Sequence, residues 1–227
     1  TMAVASHDRK KTLSQIRVSV RFTLLIAVPC SIGMAILAEP LCRMLFPGKH
    51  VSLLIQLTRM GSLAVLLYSL STISNAILQG LGHLNIPLYH SMIALVLHLC
   101  SLILFLYLRT GIYGVVLSNI VFALCMCLLN QHAIYKHTRF RIDLFRSLVM
   151  PGISALVMGG AAYALYFVIH IVLPEHLRKG RIGSAVSLLP AVFLGILIYF
   201  FLLLRSHTLT KEDLDEMPMG GRLKRFL

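Results

Sequence analysis

SLLIQLTRMGSLAVLLYSLSTISNAILQGLG, residues 52–82, carries one charged side chain, Arg59, in a run longer than the roughly 20 apolar residues that cross a hydrocarbon core. Ser71, Asn75 and Gln79 recur at every fourth position, so a helix aligns them as one polar stripe. Lipid offers no hydrogen bond, and the stripe must therefore face protein or water. Arg59 falls about two turns in from the outer end, roughly 10 Å deep for a helix starting near Ser52. It reads two ways: as a donor on an aqueous path that attracts an anionic substrate, or as a side chain snorkelling to the headgroups. An ideal helix does not bring it onto the face of Asn75, so no joint site is implied.

Five more stretches free of Asp, Glu, Lys and Arg flank this one: Phe22–Ala38, extendable through Leu41–Phe46 and interrupted by Pro29; Leu88–Leu108; Ile112–Tyr135; Leu148–Leu173; and Ile182–Leu204. Helices are expected throughout, because lipid cannot satisfy exposed backbone and the runs lack the short alternation of barrel strands. Asn119, inside the fourth stretch, reads first as a hydrogen-bonding link between helices. Gly152, Ala155, Gly159, Gly160 and Ala164 give the fifth a small-residue face suited to close helix contact.

The whole chain agrees with this reading. Its 227 residues are 58% hydrophobic and 13% charged, with a mean hydropathy of +0.85; a soluble domain averages about 25% charged. The 21 Lys plus Arg against 8 Asp plus Glu sit at the ends of the apolar runs, a juxtamembrane pattern, and Trp is absent. A nucleic-acid groove with interleaved aromatics is disfavoured. Six crossings place both ends on one side, and Lys and Arg favour that side about two to one, which predicts cytoplasmic termini. Cys30, Cys42, Cys100, Cys125 and Cys127 imply no disulfide framework, and the lone C-x-C pair makes zinc improbable. Thr12–Arg21 reads either as an interfacial helix, with Leu13, Ile16 and Val20 on one side, or as a plain basic helix end. In the tail, Thr210 with Asp213 resembles a helix cap. No signal peptide is read in the polar opening Thr1–Arg21, and the chain is expected to be a fragment.

Catalytic chemistry finds little support. Asp8, Glu39, Asp143 and Glu175 are scattered, and the one acidic cluster, Glu212 to Glu216, lies in the tail. A membrane transferase or phosphatase needs carboxylates or a His/Asp pair within reach of each other. His137 and Asp143 match no such motif. His83, His90 and His98 recur at near-helical intervals, but Pro87 interrupts the helix between the first two, and packed or interfacial imidazoles are expected. Gly80-Leu81-Gly82 reads as a turn.

The order of features resembles the C-terminal half of a polysaccharide flippase of the multidrug, oligosaccharidyl-lipid and polysaccharide exporter superfamily, nearest to the branch holding stage V sporulation protein B and the lipid II flippases. The residues that carry the likeness begin with Met2-Ala3-Val4-Ala5 and the basic helix to Arg21. They continue with Ala27-Val28-Pro29, Glu39-Pro40-Leu41, Leu45-Phe46-Pro47-Gly48, Asn75 through Gly82, Ile86-Pro87, Gly111-Ile112-Tyr113-Gly114, and the tail from Thr210 to Pro218. The resemblance implies an all-α integral membrane protein whose six transmembrane helices are the last six of a fourteen-helix transporter. Residues 1–21 would close the preceding helix or lie at the interface, 22–135 would form four helices of the C-terminal lobe, 136–147 a basic cytoplasmic loop, 148–205 the last two helices and 206–227 a cytoplasmic tail. It also implies alternating access by two lobes, the N-terminal one absent here, and a polyprenyl-pyrophosphate-linked sugar as cargo in the bacterial cytoplasmic membrane. The last two helices would form the lipid-tail groove. Arg59, Ser71, Asn75, Gln79 and Asn119 are the substrate-path candidates; membrane lipids are partners, nucleic acid is not, and no cofactor is expected beyond a coupling ion of unknown identity. An ion-coupled multidrug exporter and a non-transporting scaffold for cell-wall or sporulation machinery are the alternatives.

Overall fold

The computed structural model describes residues 9–46, 48, 51–139, 144–173 and 181–205. These form seven helices: α1 Arg9–Ile36, α2 Ala38–Leu45, α3 Val51–Gly80, α4 Asn85–Tyr107, α5 Ile112–Thr138, α6 Leu144–Val172 and α7 Arg181–Arg205. All but α2 are long and apolar enough to cross a membrane, as the charge-free runs predict. α1 is continuous from its basic opening turns through Pro29 to Ile36. The tail with its cap and acidic cluster, Asp8, Asp143 and the loop 174–180 with Glu175 lie outside the described residues.

Contacts divide the chain into two units, Thr1–Ala27 with Leu63–Ser147, and Val28–Ser62 with Leu148–Leu227. In the first, α4 and α5 form an antiparallel hairpin. Its turn needs backbone that L side chains resist: Arg109 (φ 55°) and Gly111 (φ 61°) take the left-handed side. Just beyond, Gly114 is buried where a Cβ would stand 2.8 Å from Phe105 Cβ. The buried face of α5 runs through Ser118, Ala123, Met126, Asn130, Ala133 and Ile134 at helical spacing. The outer face of α4 is apolar and exposed at Leu88, Met92, Leu95, Leu99 and Ile103, as suits a surface solvated by hydrocarbon.

The second unit packs the end of α1, α2, the start of α3, α6 and α7. Leu37, Ala162, Tyr166, Leu188 and Ala191 form a buried cluster capped by Leu41, Met44 and Leu165; Ala38, Cys42 and Ile55 form another. The buried Ser31 hydroxyl donates to the Ser62 carbonyl at 2.6 Å, joining α1 to α3. The small-residue face of α6 is narrower than its composition predicts. Ala155 and Gly159 are buried, and a Cβ on Gly159 would collide with Ile36 Cδ1, whereas Gly160 and Ala164 are exposed. One residue along a helix turns the side chain by about 100°, so Gly160 leaves the contact that Gly159 makes.

Leucine at these two adjacent glycines separates the faces. Gly159→Leu should lower stability in detergent by about 1–3 kcal/mol through overpacking against Ile36. Gly160→Leu should leave the thermal midpoint unchanged or slightly raised.

Candidate functional site

The polar stripe of α3 enters the first unit obliquely. Ser71 is buried, Asn75 half-buried and Gln79 exposed near the helix end. An unpaired amide in hydrocarbon costs several kcal/mol, and Asn75 finds its partner on α5: Asn130 Nδ2 donates to Asn75 Oδ1 at 2.6 Å. Asn130, fully buried, also bonds α4, with its Oδ1 2.8 Å from His90 Nδ1. Because the Asn130 amide nitrogen serves Asn75, its oxygen accepts from His90, which therefore carries a proton on Nδ1. Three helices are thus joined by one chain of polar groups. Asn75 and His90 each lie five residues, about 8 Å, from the helix ends that flank the α3–α4 turn.

This pairing is one rung of a register that runs the length of the hairpin. At the rim, His83 packs against His137 with ring centroids 3.9 Å apart and the rings tilted by 36°. Seven residues further along both strands of the hairpin come His90 and Asn130; eight further still, His98 meets the edge of Phe122 at 6.0 Å. Phe122 also contacts Tyr68 of α3, whose hydroxyl donates to Asn119 Oδ1 at 3.4 Å, while Asn119 Nδ2 bonds the Val115 carbonyl of its own helix. Asn119 is therefore a link between α3 and α5. Ser74 Oγ, His98 Nδ1 and Gln131 Nε2 are buried in the same unit without a hydrogen-bond partner among the described residues.

Arg59 belongs to the other unit. Its side chain is exposed, and its carbonyl accepts from the Ser62 hydroxyl at 2.7 Å. Among the described residues no group of three or more His, Cys, Asp or Glu side chains converges to hold a metal ion.

Residues 1–179 match the family model for the lipid II flippase MurJ. The chain belongs to the MurJ family. Members of this family are membrane transporters of cell-wall biogenesis, and the six apolar helices make this chain a multi-pass membrane protein. A curated relative, the uncharacterized membrane protein YabM of Bacillus subtilis (strain 168), is 26% identical over 228 residues. The match takes in 100% of this chain and 41% of YabM, so the chain spans well under half the length of that relative. Against this MurJ background the sequence reading had singled out Asn75 and Asn119 but neither Asn130 nor the bonded role of His90. Two signals were present: Asn130 is an amide inside a charge-free run, and His90 stands seven residues from His83. Pro87 does not break the helix, as the spacing had suggested. It sits third in α4, where a missing N–H costs no intrahelical bond, and the break falls earlier, at residues 81–84.

A double-mutant cycle on Asn75→Ala and Asn130→Ala, read by reversible unfolding in mixed micelles, should give a coupling of about 0.6 kcal/mol and no more than about 1.7. Additive single effects would show that the amide pair carries no interaction energy.

Proposed function

We propose that this chain is the C-terminal part of a flippase that moves a polyprenyl-pyrophosphate-linked oligosaccharide, lipid II or a similar cell-envelope precursor, across the bacterial cytoplasmic membrane by alternating access. The observation that carries the reading is the family match over residues 1–179. The 41% coverage of YabM supports a working partnership with a further, N-terminal set of helices. Membrane lipid would be the solvent for the exposed apolar faces of α4 and α7. The basic ends of the spans support cytoplasmic termini.

Transport of this kind makes and breaks no covalent bond, and the protein would act as a transporter rather than an enzyme. A pyrophosphate concentrates negative charge that a guanidinium can hold through paired N–H donors. Arg59, exposed on α3, would be the donor for such a group. Ser71, Asn75, Gln79 and Asn119 would act one step removed, by fixing how α3 and α5 move together.

In proteoliposomes containing the full-length protein, a fluorescent polyprenyl-pyrophosphate sugar should appear in the opposite leaflet. Arg59→Ala should slow its passage about tenfold, the equivalent of one charge-assisted hydrogen bond. Arg59→Lys should recover part of the loss. Folded wild-type protein that translocates no such lipid would refute the assignment.

A further inference from the structure

Movement of a charged headgroup across a membrane can be coupled to an ion, and the described residues of the first unit include no Asp or Glu. The hydrogen-bonded imidazole on the α4 seam is the group there suited to the task. We propose that His90 is a proton-binding site: a proton taken up at Nε2 converts the His90–Asn130–Asn75 chain from neutral to charge-assisted and so couples proton occupancy to the packing of α3, α4 and α5.

The chemistry follows from the bonds in place. Neutral His90 donates through Nδ1 to Asn130 Oδ1 and leaves a lone pair on Nε2. A proton arriving from water forms a new N–H bond there and gives the imidazolium, which has two donors and no acceptor. Its bond to Asn130 then becomes charge-assisted, which shortens and strengthens it. The same Asn130 amide donates to Asn75, so the polarisation is passed to α3. Release of the proton to water reverses each step. Imidazole is the side chain that ordinarily changes charge between pH 5 and 8.

The surroundings favour a proton over a metal cation. α3 brings only Tyr68 as an ionisable group between Leu63 and Gly80. α5 brings Tyr113, Cys125, Cys127, His132, Tyr135, Lys136 and His137, with Arg109 and Arg139 just outside its ends, and α4 with its preceding turn brings His83, Tyr89, His98, Cys100 and Tyr107. The remaining helix of the unit, α1, brings Lys11, Arg17 and Arg21. None is a carboxylate. Hard cations are held by oxygen donors, usually including carboxylates, whereas a proton needs one basic nitrogen. The His83–His137 pair at the rim, and His98 eight residues or about 12 Å beyond His90, share the seam with His90, which places further imidazoles along the same line.

The coupling role rests on the transporter reading, but proton binding itself does not, so the test has two arms. In the first, the full-length protein carries ¹⁵N-labelled histidine and asparagine in lipid nanodiscs, and its resonances are followed from pH 8 to pH 5. The expected result is conversion of a neutral Nδ1–H imidazole at His90 to the doubly protonated form, with the side-chain amides of Asn130 and Asn75 shifting in step. His90→Gln should abolish the amide shifts while keeping a hydrogen bond to Asn130. An imidazole that stays neutral to pH 5, or amides that do not follow it, would overturn the proposal. In the second arm, transport of the labelled lipid is driven by an imposed pH gradient. His90→Gln should lose the gradient's acceleration, and His132→Gln, an exposed position on α5, should keep it. Unchanged gradient dependence in His90→Gln refutes the coupling; absence of transport in wild type refutes the flippase reading and leaves the first arm standing.

Discussion

Hydrocarbon cannot accept or donate a hydrogen bond, and this chain is organised around that fact. Its described backbone closes on itself as helices, a large share of its apolar side chains faces outward, and polar side chains within the spans are answered by their own helix or by another. α4 shows the division most sharply. Leu88, Met92, Leu95, Leu99 and Ile103 are exposed on one side, while His90 is turned to the seam where Asn130 waits. Asn130 is the centre of that arrangement because an amide has both a donor and an acceptor end, and here each end is used by a different helix.

The spans were legible in the sequence because a charge-free run of membrane length has few alternatives. The helix from Asn85 to Tyr107 differs from the reading of Leu88–Leu108 by only a few residues, and the other spans are comparably close except the first, where α1 begins at Arg9, 13 residues before Phe22, and Ala38–Leu45 is a separate helix. Pairing between helices was harder to see. Four-residue spacing identifies Ser71, Asn75 and Gln79 as a stripe, but says nothing about which residue of another helix lies opposite. That is set by the two connections: the turn at residues 81–84, with Gly82 at φ 85°, and the turn at Arg109 to Gly111. A shift of one residue in either would turn Asn130 by about 100° and leave Asn75 unpaired. The register is a property of the turns, and periodicity within one helix does not contain it.

The small-residue face of α6 makes the same point through packing. Composition marked five small positions, yet the geometry uses Ala155 and Gly159 and leaves Gly160 and Ala164 exposed. Small side chains permit close approach without requiring it. The neighbour decides, and here the neighbour is Ile36 on α1. On α7, Gly195 meets Met158 and Ala162 in the same way, so one stretch of α6 serves two contacts.

Where charge is placed bears on the kind of transporter this can be. Arg59 is a fixed cation, able to hold an anionic headgroup but unable to report on pH, since a guanidinium does not lose its proton in a protein. Imidazole differs as a side-chain type in that its charge ordinarily changes near neutrality. On the proposed reading the two kinds of group would divide the work, one binding the cargo and the other changing occupancy with a driving ion. Without carboxylates among the described residues of the first unit, a protonated histidine there has no fixed counter-charge. On the proposed reading, a nearby anion would supply that counter-charge. By linkage, an anion that eases protonation must itself be bound more tightly by the protonated form. Coupling of that sign needs no direct contact between His90 and the cargo, only a helix arrangement that both of them favour.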